Sequence, residues 1–214
     1  MIGNHVSAGD SEAVREGALR LKSPFPPSIR EWYADIDGTA VLQEYSNDDR
    51  SLTPHEFEIC EIAGQRLVIF MKENQSVCWW AFALDSSDDP PVYVGYYGKS
   101  DEPFLQTRTF SDFVYSRVFD FANIGDPDRY WMREGRVPSA DDLKALRHIL
   151  REEVSTKEWT RTTAFRFSAP QGQLVIWVGS DTATWIVSAS SAHNRDLLLQ
   201  LTQDAVGTLD EMTP

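Results

Sequence analysis

The chain has 214 residues, 42% hydrophobic and 25% charged, values that exclude wholesale disorder and leave room for one domain or two small ones. Its 33 acidic and 20 basic side chains give a formal net charge of −13, which repels nucleic acid phosphate and anionic membrane. No stretch approaches about 18 uninterrupted apolar residues, so no membrane span is expected. The N-terminus has no charged leader followed by an apolar run, and Cys60 and Cys78 lie beside hydrophobic neighbours. Free buried thiols in a reducing, cytoplasmic location follow as the expectation.

Residues 1–10 read as frayed. Asp10 or Ser11 can cap a short helix carrying Val14, Ala18, Leu19 and Leu21. The prolines at 24, 26 and 27 stop it, and Pro27 suits the first position of a second helix. Ile29, Trp32, Tyr33 and Ile36 form its buried face, and Asp37-Gly38 is expected to end it through a left-handed cap. Residues 39–52 show no regular pattern, with a solvated loop at 46–50. Thr53-Pro54-His55-Glu56 reads as a capping box opening a brief helical turn.

Residues 67–97 hold three runs rich in β-branched and aromatic residues, separated by turn formers. They predict three sequential antiparallel strands, with a hairpin at 73–76 shaped by Asn74. Trp79 and Trp80 point to opposite faces, so both faces of this sheet need cover. Residues 98–108 are loop or a short edge strand around Phe104. Ser111 is expected to cap a helix with Phe113, Val114, Val118 and Phe121 as its apolar stripe.

Residues 123–127, followed by a polar stretch to Pro138, read as a boundary. Ser139 and Asp142 form a capping box for a helix with Leu143, Leu146 and Leu150 inward. Three further strands follow, around Phe165 and Phe167, at 174–178 and at 185–187. Ser190 or Ser191 opens a last helix through Leu197, Leu198 and Leu201. The fold class read from this pattern is α+β: a twisted, mainly antiparallel sheet flanked by helices, with a smaller C-terminal α+β subdomain. The parts are residues 1–125 and 126–214, and the second, too small to cover its own sheet, is expected to pack against the first. Residues 1–125 carry 20 acidic and 10 basic side chains, a net of −10, against −3 for the rest.

No catalytic constellation is legible. The histidines at 5, 55, 148 and 193 are scattered, and no metal-ligand spacing, nucleophile elbow or phosphate-cradling loop is present. Neither cysteine has a base beside it in sequence. Asp85, Asp88 and Asp89 miss the calcium-loop spacing and read first as a solvated turn, second as an acidic contact surface. Arg129, Arg133 and Arg136 alternate with acids and aromatics, a pattern of salt-bridged packing.

Three passages together resemble the SUKH superfamily. They are Phe25 to Tyr33 with its leading prolines, Glu73 to Trp80 at the hairpin, and Asp89 to Val94 followed by Phe110-Ser111-Asp112-Phe113. The resemblance covers about residues 20–125. It departs from the family where a glycine-rich segment is replaced by Thr39-Ala40-Val41-Leu42. It implies a twisted sheet flanked by helices and a non-enzymatic binding role, in many bacterial members the neutralisation of a toxin, often a nuclease.

The expected function is therefore an immunity protein without cofactor or metal, binding a basic toxin domain. Its candidate contacts are Asp48, Asp49, Asp85, Asp88 and Asp89. The alternatives are an intracellular scaffold without a toxin partner, or a hydrolase using Glu73, Asp112 and His148 in a cleft between the two parts.

Overall fold

The computed structural model describes residues 12–34, 38–98 and 102–209. Among them are six helices and two antiparallel sheets, an α+β fold. The chain divides into two compact units, Met1–Val118 and Phe119–Pro214. No helix of the described residues is long and apolar enough to cross a membrane.

The first unit opens with α1 (Glu12–Leu21), α2 (Pro27–Ala34) and α3 (Gly38–Glu44). In α1 the inward residues are Val14, Gly17 and Leu21, while Leu19 is 71% exposed. The proposed caps Asp10 and Ser11 lie outside the described residues, as do His5, Ile36 and Asp37. Pro27 is the first residue of α2, with Ile29 and Tyr33 buried as the spacing predicts. Gly38 does not close that helix in a left-handed turn; it opens α3. A Cβ there would sit 2.3 Å from the Trp32 carbonyl oxygen, so the glycine answers a close approach of backbone. The segment Thr39-Ala40-Val41-Leu42 is therefore helical, and Leu42 is fully buried.

Its sheet comprises β1 (Arg50–Ser51), β2 (Glu58–Ile62), β3 (Gln65–Lys72), β4 (Cys78–Ala83), β5 (Val92–Tyr96) and β6 (Phe104–Thr107). The order is β1-β3-β4-β5-β6, with β2 beside the other end of β3. The three central strands form the meander read from the sequence. The Thr53–Glu56 box makes a hydrogen-bonded turn and no helix: the Thr53 N–H donates to Glu56 Oε2 at 3.0 Å, and the Glu56 N–H to the Thr53 carbonyl at 2.8 Å.

Alternation divides the sheet's side chains between two faces. One carries Phe70, Trp80 and Phe82, which join Phe25, Tyr33, Phe57, Phe110 and Phe113 in an aromatic core. Edge-to-face contacts recur there, Tyr33 to Phe57 at 5.1 Å and Phe70 to Phe113 at 5.2 Å. On the other face Trp79 lies over Gly95, where a Cβ would come within 2.0 Å of the indole. Both tryptophans are buried, as their opposed directions require.

Helix α4 (Phe110–Phe121) spans the division between the units. Thr109, not Ser111, caps it: its hydroxyl accepts the Asp112 N–H at 3.0 Å.

The second unit contains β7 (Tyr130–Gly135), α5 (Ala140–Ile149), β8 (Arg151–Glu152), β9 (Thr156–Lys157), β10 (Thr163–Ala169), β11 (Gly172–Val178), β12 (Ala183–Ala189) and α6 (Ala192–Val206). Its sheet runs β7-β12-β11-β10-β8, with β9 also on β10. Strand β7 occupies the polar stretch read as a boundary. It gains strand geometry from pairing with β12, which a local pattern cannot show.

Helix α5 has the reciprocal box expected of Ser139 and Asp142, and Ser191 caps α6. Leu146, Leu150, Phe167, Leu174, Ile176, Trp185, Val187, Leu198 and Val206 share one core. In α6 the inward row is Leu198, Thr202 and Val206, whereas Leu197 and Leu201 are 41% and 39% exposed. The sheet's other face holds Val175 and Ile186, covered by Phe119 with Tyr130 and Trp177 beside them.

Candidate functional site

The five aspartates singled out from the sequence fall at two ends of the first sheet. Asp85, Asp88 and Asp89 lie on the loop after β4, whereas Asp48 and Asp49 lie near the turn before it. Asn74 in that turn donates through Nδ2 to the Asn47 carbonyl at 2.8 Å, which joins the two segments. The six residues of β4 separate the groups, a span of about 17 Å at strand rise. The aspartates do not form one cluster.

The loop after β4 is held at both helix starts of the aromatic layer. The Ser28 N–H, in the first turn of α2, donates to the Asp88 carbonyl at 3.0 Å. The Ser111 N–H, in the first turn of α4, donates to Asp89 Oδ1 at 3.1 Å. Both helices thus direct unsatisfied N–H groups and the positive ends of their dipoles at an acidic loop. Inside it Ser87 Oγ donates to the Asp89 carbonyl at 2.8 Å, and Pro90 is buried. Asp89 is half-buried and works as an anchor. Asp85 and Asp88 are exposed, and Asp85 is met by Arg66 at 3.4 Å. A shallow concavity of about 250 Å³, lined by residues of the β2–β3 turn together with Arg66, Asp85 and Ser86, adjoins the loop.

At the opposite end the two neighbouring aspartates part company. Asp48 is exposed, with a left-handed φ of 59° that Asp tolerates better than most residues. Asp49 is 4% exposed and paired with Arg117 at 3.2 Å. The Arg117 guanidinium lies 4.4 Å from the Trp80 ring centre, a cation–π arrangement inside the core. Burial raises the Asp49 pKa, against the opposing pull of Arg117 and of the Asn74 N–H. Its carboxylate is committed inward and is not presented to a partner.

The adjoining hairpin is organised by Glu73. Its Oε2 accepts the N–H groups of Gln75 at 2.8 Å and Val77 at 3.0 Å. Ser76, not Asn74, takes the left-handed conformation, at φ 59°. The Glu73 carboxylate is therefore engaged in the turn, Asp112 lies in the first turn of α4, and His148 is exposed on α5. Burial pushes the Cys78 thiol up to about 12, with Asp49 and Glu73 adding to it, which leaves almost no thiolate at neutral pH. Cys60 is also raised by burial, and both thiols are free. Among the described residues, no three His, Cys, Asp or Glu side chains are grouped to hold a metal ion.

The second unit contains a charge cluster absent from the sequence reading. Arg166, between Phe165 and Phe167 on β10, is 0% exposed. Its guanidinium donates to Asp120 Oδ1 at 2.6 Å and Oδ2 at 2.5 Å, Glu158 Oε1 at 3.0 Å, Thr156 Oγ1 at 2.7 Å and the Val154 carbonyl at 3.2 Å. Five donors meet five bonds, so the buried cation is satisfied. Burial alone would lower its pKa, but Asp120 and Glu158 hold it above the ordinary value. An arginine between two phenylalanines on a strand was the available signal. Arg136 pairs with Asp142 at 2.6 Å and Arg129 with Asp126 at 3.5 Å, in line with salt-bridged packing of these arginines.

No family model, curated protein or solved structure matches the chain.

Proposed function

We propose that the chain is a non-enzymatic protein-binding module of the SUKH kind, an immunity protein that neutralises a bacterial toxin by binding a basic surface on it. The observation that carries this reading is the display of Asp85 and Asp88 on a loop tied to the starts of α2 and α4. A loop already ordered loses little conformational freedom when a partner seats on it. The net charge of −13 would also steer a basic partner, such as the phosphate-binding groove of a nuclease, into encounter. Asp48, on the opposite end, is a separate contact candidate. Asp49 and Asp89 serve the module's own structure.

The test is to read the neighbouring reading frame for a secreted protein with a C-terminal toxin domain and to co-express that domain with the chain, scored by cell survival and by pull-down of the complex. Rescue is expected, and the doubly substituted Asp85→Lys/Asp88→Lys chain should associate about tenfold more slowly at low salt, with a flatter salt dependence. Absence of both rescue and complex with the unaltered chain removes the reading. An unchanged association rate in the double variant would move the contact away from this loop.

A further inference from the structure

Strand β7 is an edge strand whose outer side has no partner strand among the described residues. The ladder shows which of its groups face outward. The Ala189 N–H donates to the Arg129 carbonyl at 2.9 Å, and these two residues continue the register Ser188 to Tyr130. Directly opposed residues alternate between bonded and non-bonded pairs in an antiparallel ladder. Trp131, Arg133 and Gly135 therefore bond to β12, while Tyr130, Met132 and Glu134 aim their peptide groups away from it. The Tyr130 N–H is taken by the Asp126 carbonyl at 2.8 Å. The Tyr130 carbonyl and both peptide groups of Met132 and Glu134 remain on the open side.

The other edges are blunted in the ways that prevent strand addition. β1, β8 and β9 are two residues each, a register shift interrupts β5–β6 pairing, and β2, five residues in continuous register, carries the charges of Glu58 and Glu61. β7 has six residues in continuous register, without proline, lysine or bulge, and its central Met132 is 56% exposed.

We propose that this edge pairs antiparallel with the β7 of a second copy of the chain, with Met132 on the two-fold axis. The charges select both the occupant and the register. Centred on Met132, each Tyr130 faces the other copy's Glu134, and each Trp131 faces an Arg133, a cation–π pairing. Moved one residue further, Arg133 opposes itself; moved one residue back, Arg129 opposes Arg133 and Asp128 opposes Glu134. Like charges directly across a ladder destabilise it, so only the Met132 register is free of them. It forms four backbone bonds: two between the Met132 residues and one from each Glu134 N–H to the Tyr130 carbonyl opposite. Met132 and Tyr130 already touch on one face, Oη to Sδ at 3.5 Å.

Such a contact is small, and its dissociation constant should lie at about 10–100 μM. The full-length chain, sedimented over a concentration series, should pass from monomer to dimer mass. Met132→Lys, at a position exposed in the monomer, puts two ammonium groups opposite each other and should weaken the dimer at least about tenfold. Register is read by cysteine cross-linking in a Cys60→Ser background. Bonded pairs across a ladder have Cα atoms about 5.5 Å apart, within disulfide reach. Met132→Cys should cross-link to itself, and Arg133→Cys, facing Trp131, should not. A chain that stays monomeric to about 1 mM overturns the proposal. So does a dimer indifferent to Met132→Lys, or Arg133→Cys cross-linking as fast as Met132→Cys.

Discussion

Replacing Asp120 by alanine isolates the interaction on which the second unit's buried charge depends. The exchange removes the acceptors of two of the five bonds made by Arg166, those at 2.6 and 2.5 Å. The guanidinium, 0% exposed, keeps Glu158, Thr156 and the Val154 carbonyl but cannot turn to water. Stripping one partner from a buried ion pair costs about 3–5 kcal/mol, and the surviving Glu158 bond places this case near the lower bound. With a urea dependence of about 1.5–2 kcal/mol per molar, the unfolding midpoint should fall by about 1.5–2 M. Amide hydrogen exchange on β10 and β11 during urea titration of the full chain assigns the loss to this unit. The Asp120→Leu/Arg166→Met double variant buries no charge at either position and should recover most of the loss, because apolar replacement of a buried pair is often neutral or better. A single-variant loss under about 1 kcal/mol, or a double variant as weak as the single, would refute the assignment.

Three further outcomes follow from the geometry. Asp142, held down to about 2 chiefly by Arg136 and further by the Ser139 cap, stabilises the fold fully above about pH 5 and loses that contribution as pH falls towards 2; Asp142→Asn should cost about 1 kcal/mol at pH 7 and flatten that acid limb in a pH series of urea melts. Gly95→Ala sets a methyl 2.0 Å from the Trp79 ring, and the forced displacement should cost about 1–3 kcal/mol and alter the tryptophan near-ultraviolet circular dichroism; an unchanged spectrum would contradict the close approach. A 119–214 fragment should show stronger amide protection than a 139–214 fragment, which lacks Asp120 and the six-residue strand paired to β12; equal protection would mean neither feature matters to this unit.

Local chemistry was legible in the sequence by itself. Pro27 starts α2, Ser139 with Asp142 starts α5 and Ser191 starts α6, because a cap is settled within four residues. The two meanders were legible for the same reason: alternation and turn formers act between neighbours. Tertiary structure decided what depends on a partner far along the chain. Asp48 and Asp49 are adjacent, yet only Asp49 meets Arg117, a residue 68 positions later, and only it is buried. β7 is a strand because β12 pairs with it, and position 38 needs a glycine because its backbone approaches the Trp32 carbonyl. In α6, three consecutive leucines offer alternative faces. The sheet selects Leu198, and Thr202 can follow it inward because its hydroxyl donates to the Leu198 carbonyl at 2.8 Å. Arg166 is the extreme case: its strand pattern is compatible with exposure, and Asp120, 46 residues earlier, together with Glu158 makes a buried cation tolerable there.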